Sequence, residues 1–240
     1  MPTSEKSFVI VDAGNTSIKV AQVKNSQIQS VKRYDHISDA VSSISDTVVV
    51  CASVLNEDFK QLVIKNGGRF HQITHQSTLP FKSAYSSMET IGIDRLCNAA
   101  AAAKTFESEH CLIVAIGTCV KFDFISAQKV YLGGSISPGI NLRYKALHEH
   151  TSKLPLIDIK GNAPIIGDST NSSIYSGVMN GIMYEIQGVI LRYQKDFGQL
   201  KILITGGDAS YFDFPQKSNI FANKNLTLEG IVEIYEINAL

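Results

Sequence analysis

The first apolar segment, Phe8 to Val11, is compact. It breaks at Asp12-Ala13-Gly14-Asn15-Thr16 and resumes as an alternating stretch from Ile18 to Val23. This pattern predicts two strands joined by a glycine turn. A third strand is expected over Gln27 to Tyr34, then a short helix from Ser38, a buried strand from Thr47 to Ala52, and a helix with Asn56 as N-cap and Gly67 near its end. The second half begins again in the same way. Leu112 to Val114 leads into Ala115-Ile116-Gly117-Thr118, followed by strands over Val120 to Ile125 and Lys129 to Ile136 and a helix from Asn141 to His150. Two units that each open strand, glycine turn, strand predict an α/β protein of duplicated domains facing one another. The boundary is expected near residue 110, giving domains 1–110 and 111–240, with the last helix free to pack back on the first domain.

A long helix is expected from Ser172 to Asp196, because Ile174, Val178, Ile182, Ile186, Val189 and Tyr193 keep near-helical spacing. Within it Gly177, Gly181 and Gly188 each cost about 1 kcal/mol relative to alanine, so close packing against another backbone or a ligand must offset them. Gly198 ends the helix, and Lys201 to Thr205 forms a strand that stops at Gly206-Gly207.

Composition narrows the function classes. The 240 residues carry 22 Lys plus Arg against 22 Asp plus Glu, a balance that gives no reason to expect a nucleic-acid or membrane partner. Cys51, Cys97, Cys111 and Cys119 are scattered without a C-x-x-C pair, and three lie in or beside apolar runs, so reduced core thiols and a cytoplasmic setting are expected. No apolar run approaches membrane-spanning length.

The chemistry concentrates at the turns. In Asp12-x-Gly14-Asn15-Thr16-x-x-Lys19, glycine lets the backbone approach a phosphate, its neighbours supply donors, and Asp12 suits Mg²⁺ directly or through water. An Asx-type turn without ligand is the structural alternative. The matching turn Gly117-Thr118 makes a two-turn nucleotide clamp in the cleft between halves the sharper reading, and Thr205-Gly206-Gly207 leaves room for a nucleoside. Asp94 and Arg95 stand together at a helix start, downstream of Tyr85 and next to Gly92-Ile93. Asp94 reads either as a helix cap or as a group that orients an acceptor hydroxyl and takes its proton, while Arg95 can fork onto a carboxylate. The substrate is then an anion with a hydroxyl. The six histidines are expected to hold no metal, since His71-x-x-x-His75 falls in strand and loop.

Taken in order, these pieces resemble the acetate and sugar kinase, heat-shock protein and actin superfamily, and type III pantothenate kinase in particular. The resemblance rests on Gly92-x-Asp94-Arg95, Gly133-Gly134-x-Ile136-x-Pro138-Gly139, Leu154-Pro155, Gly167-x-x-Thr170, Gly177-x-x-x-Gly181 and Thr205-Gly206-Gly207. It implies two ribonuclease H-like domains, Asp94 as general base, and Tyr85, Gly92, Ile93, Arg95 and Thr170 as pantothenate contacts. It further implies Asp12, Gly14, Asn15, Thr16, Lys19, Gly117, Thr118, Gly206 and Gly207 as contacts to ATP, with Mg²⁺. A homodimer is implied too, in which Thr170 reaches the neighbouring subunit's substrate.

One position departs from that pattern. Where the family carries an aspartate that binds K⁺ or NH₄⁺, this chain has Ala115, and where threonine is usual it has Lys121. Loss of an acid and gain of a base puts the monovalent-cation site in doubt and suggests that Lys121 replaces the ion. The competing functions are a non-catalytic regulatory or accessory protein on the same fold, and a phosphatase of the same superfamily. Retained Asp94, Arg95 and Tyr85 favour the kinase, and the lack of a glutamate placed to position water near either turn counts against the phosphatase.

Overall fold

A computed structural model describes residues 7–13, 18–42, 44, 47–52, 57–215 and 218–239. The elements run β1 (Ser7–Ala13), β2 (Ile18–Lys24), β3 (Gln27–Tyr34), α1 (Ile37–Ser42), β4 (Val48–Cys51), α2 (Glu57–Lys65), β5 (Arg69–Gln72), β6 (Lys82–Ser83) and α3 (Ile93–Thr105). They continue with β7 (Cys111–Ile116), β8 (Cys119–Ile125), β9 (Val130–Pro138), α4 (Ile140–Glu149), α5 (Thr170–Phe197), β10 (Lys201–Thr205), β11 (Ile220–Ala222) and α6 (Leu226–Asn238). The chain divides into two compact units, residues 1–105 with 225–240, and residues 106–224.

In the first unit the strand order is β3-β2-β1-β4-β5. β1 and β2 pair antiparallel, as do β2 and β3, whereas β1, β4 and β5 run parallel. The β2–β3 connection turns on Asn25 and Ser26, both at positive φ (49° and 64°), the conformation that a two-residue hairpin turn demands and asparagine tolerates. Period-two alternation separates the faces of β1. Val11, with Ile18, Val20 and Val49, packs on Phe59 and Val63 of α2 and on Ala40 and Val41 of α1. The opposite face carries Phe8, Ile10 and Asp12, and the Phe8 ring meets Tyr235 of α6 at 4.7 Å.

The second unit repeats this plan. Its five strands lie in the order β9-β8-β7-β10-β11, with β7–β8 and β8–β9 antiparallel and β7, β10 and β11 parallel. Leu112, Val114 and Ile116 of β7 and Val120, Phe122 and Phe124 of β8 share one face and bury against Ile174, Val178, Ile182, Ile186 and Ile190 of α5. That spacing accounts for the helix: one apolar stripe every three or four residues, covered by a sheet. Ser169 and Ser172 form a reciprocal capping box at its start, and Gly198 (φ 77°) ends it by donating to the Gln194 carbonyl at 2.9 Å.

Among the described residues, the α5 glycines meet no other backbone of this chain, so the expected close packing is not supplied there. A Cβ at Gly177 or Gly188 would find no described atom within 4 Å, and one at Gly181 would meet only the Arg143 guanidinium, at 3.7 Å. The helix presents them outward because its buried stripe runs along the opposite side. Cys51, Cys97 and Cys111 are buried free thiols, while Cys119 is half-buried. No described helix is long and apolar enough to cross a membrane.

Candidate active site

The first unit gathers Asp12, Tyr85, Gly92, Asp94 and Arg95. Asp12 and Lys19 are directly opposed across β1–β2, so their side chains rise from the same side of the sheet. They lie on the face of Ile10, away from α1 and α2. Gly14, Asn15 and Thr16 fall outside the described residues. Asp94 is the second residue of α3, in the turn where unpaired helix N–H groups and the dipole favour a carboxylate. It is not the residue preceding the helix; Gly92 holds that place, its carbonyl accepting from the Arg95 amide at 2.9 Å. A Cβ on Gly92 would sit 2.6 Å from Asp94 Oδ1, so only glycine leaves the carboxylate room to fold back over the backbone there.

Arg95 is 5 % exposed, and its guanidinium carbon lies 5.9 Å from the centroid of the Tyr85 ring. Burial, then the carboxylates of Asp12 and Asp94 and the thiol of Cys51, push the Cys97 thiol well above its ordinary range. Two carboxylates from different elements thus act on one buried group. Asp12, a hard oxygen donor, fits Mg²⁺, which is usually held by one or two carboxylates together with substrate phosphates. No group of three or more His, Cys, Asp or Glu side chains is placed to hold a metal among the described residues.

His75, for which the sequence suggested no role, supports this corner. Its Nε2 lies 2.7 Å from the Ile91 carbonyl, and since a carbonyl only accepts, that nitrogen carries the proton. The bond ties the loop after β5 to the residue that precedes Gly92. A link between residues 16 positions apart leaves no mark in the local sequence pattern.

In the second unit three glycine segments converge. Gly117 and Thr118 form the two-residue turn between β7 and β8, with the Gly117 amide donating to the Cys119 carbonyl at 3.1 Å. Gly139 donates to the Thr118 carbonyl at 3.0 Å, and a Cβ there would fall 2.0 Å from the Gly117 oxygen. From the other side, Asp208 donates to the Ile116 carbonyl at 3.0 Å. Gly206 adopts φ 102°, and a Cβ on it would lie 2.1 Å from that same carbonyl. Gly206 is therefore required twice, by its left-handed backbone and by its contact distance. Asp208, which burial holds above the usual carboxylate range with Lys160 opposing the shift, was not singled out by its sequence context.

Thr170 opens α5. It lines a groove of about 810 Å³ with Arg143, Leu147, Leu154, Ile174 and Gly177. Ala115 lies directly opposite Lys121 in the β7–β8 register. A methyl group beside a lysine does not fit a site for K⁺ or NH₄⁺.

Comparison with known proteins accounts for this arrangement. The model of the type III pantothenate kinase family matches residues 8–192. A type III pantothenate kinase from Flavobacterium johnsoniae is 39% identical over 239 residues, covering 95% of this chain and 97% of that one. Among solved structures, a Campylobacter jejuni protein assigned to the Baf family of transcriptional activators superposes with a TM-score of 0.62 at 25% identity, covering 97% of this chain and 99% of that one. A Listeria monocytogenes protein assigned as an N-acetylmannosamine kinase gives a TM-score of 0.52 at 13% identity, over 98% and 100% of the two chains, and shares the fold. The two sheets, which share one order over five strands, are thus duplicated ribonuclease H-like domains, and the chain belongs to the type III pantothenate kinase family.

Proposed function

We propose that this chain transfers the γ-phosphate of ATP to the 4′-hydroxyl of pantothenate, the opening step of coenzyme A biosynthesis, with Asp94 as general base. The observation that carries the reading is the grouping of Asp94 with a nearly buried Arg95 beside Tyr85. A buried guanidinium favours a carboxylate ligand, and a carboxylate two backbone positions from Gly92 suits a hydroxyl. Pantothenate offers both groups. Arg95 takes its carboxylate, Tyr85 bounds the site, and Gly92 and Ile93 supply backbone at close range. Asp94 orients the hydroxyl and accepts its proton as the oxygen bonds to the γ-phosphorus and the bond to the β-phosphate oxygen breaks.

In this reading the glycine turns hold ATP. Gly117 and Thr118 approach its phosphates, and Gly206 and Gly207 leave room for the nucleoside. Asp12 and Lys19 act from the first domain, together with Gly14, Asn15 and Thr16. Asp12 would hold Mg²⁺, which would supply neutralisation of the phosphate charge. Lys121 stands in for the monovalent ion of the family, since an ammonium group is a compact charge with three donors.

The active species is a homodimer, with Thr170 reaching the second copy's substrate. Two features support this: the largely apolar groove beside Thr170, and an outward stripe on α5 in which Gly177, Gly181 and Gly188 are joined by exposed Tyr184 and Leu191. Glycines that cost helix stability and meet no described backbone of their own chain are suited to close approach by another. A cytoplasmic setting accords with free cysteines and a metabolic substrate. The test is ADP release with and without pantothenate, with the product identified by mass. Pantothenate-independent release, or none, contradicts the proposal.

A further inference from the structure

We infer that Glu185 is a positioning residue for the phosphate turn, acting through Arg143 and Ser137 to hold Pro138–Gly139 against Gly117–Thr118. The inference rests on reading Gly117–Thr118 as a phosphate-binding turn.

The turn has no side chain on Gly117 to anchor it, and Thr118 is exposed. Its neighbour Gly139 touches it backbone to backbone, at a distance that admits no side chain. Whatever fixes that contact must therefore grip the residues flanking Gly139. Glu185, in the middle of α5, does so with both carboxylate oxygens: Oε1 accepts from the Ser137 hydroxyl and Oε2 from Arg143 Nη2. Arg143 in turn donates from Nε to the Pro138 carbonyl at 2.8 Å, and its amide donates to the Gly139 carbonyl at 3.0 Å. A single carboxylate thus fastens the end of β9 and the start of α4 to the long helix.

The Arg143 and Glu185 side chains are only 23% and 27% exposed. Half-buried, this pair is coupled more strongly than a surface ion pair, and removing one partner leaves the other charge poorly solvated. The network grips the phosphate turn, so its effect should fall chiefly on ATP; Arg143 also lines the groove beside Thr170, and pantothenate should be affected less.

The test uses the full-length protein, with Glu185→Gln and Ser137→Ala as separate variants, so that a folding failure of the first leaves the second. Three quantities are read: the KM for ATP, the KM for pantothenate, and the affinity for ADP with Mg²⁺ by calorimetry. A displacement near 1 Å at a reacting group can cost up to about 100-fold, and loosening one flank of the turn should raise the KM for ATP and weaken ADP on the order of tenfold. The KM for pantothenate should change much less. Folded variants with unaltered ADP affinity, or with both KM values moved alike, overturn the inference. Failure of the natural protein to consume pantothenate would instead count against the proposed function, while ADP binding would still read the role of Glu185.

Discussion

Ala115 faces Lys121 across the β7–β8 hairpin, as Asp12 faces Lys19 across β1–β2. In each repeat the pair flanks the glycine turn and lies on the sheet side away from the first layer of helices. The second repeat therefore keeps the lysine of the first and replaces the acid with a methyl group. Turnover should accordingly show little dependence on K⁺ when titrated in a Tris background. Ala115→Asp combined with Lys121→Thr should create a dependence, since a carboxylate without its facing ammonium needs a counter-ion. Strong K⁺ activation of the natural protein would refute the replacement.

Cysteine labelling offers a readout of nucleotide binding that does not require turnover. Cys51, Cys97 and Cys111 are buried, and burial pushes the Cys97 thiol well up and Cys111 to about 12, so neither of the latter two forms thiolate readily. Cys119 is half-buried and adjoins Thr118. Iodoacetamide should modify Cys119 first, and ATP with Mg²⁺ should slow it. Labelling spread over all four thiols in folded protein, or no protection by nucleotide, would contradict the placement.

Gly206→Ala should be among the most damaging single-atom-scale changes in the second domain. It forces alanine into φ 102° and brings Cβ to 2.1 Å from the Ile116 carbonyl, so the turn must move. Left-handed backbone alone costs roughly 1–2 kcal/mol for a non-glycine residue. A lower Tm together with a raised KM for ATP is expected; a variant with both unchanged would show that the Gly206 turn is neither strained nor part of the nucleotide site.

Much of this was legible in the chain. The duplicated strand–turn–strand openings, the alternation in β2 and β8 and the apolar stripe of α5 are local patterns, and local patterns report secondary structure and register. Asp94 and Arg95 were legible because two polar groups open an otherwise apolar, alanine-rich helix. What escaped depends on distant pairing. His75 meets Ile91 across a loop, and Glu185 meets Ser137 from 48 residues away, on a helix whose periodicity marks only its buried side. The α5 glycines led to an expectation of close approach that no described backbone of this chain meets, because sequence does not say which face of a helix is covered.

If a second copy covers that face and Thr170 completes its partner's site, diluting the protein below its dimer dissociation constant should raise the KM for pantothenate or abolish turnover. Sedimentation under assay conditions reports the oligomeric state. A fully active monomer would rule out the shared site.

The most direct test of the account is the turnover of Asp94→Asn with saturating ATP and pantothenate. The amide keeps the shape that Gly92 accommodates and removes the proton acceptor, so the variant should fold with the natural Tm. Its kcat should fall by about 10²–10⁴-fold, or by less if the phosphoryl-transfer transition state is loose enough to need little base assistance. A folded Asp94→Asn protein that turns over pantothenate at the natural rate would reduce Asp94 to a helix-start residue and contradict the mechanism.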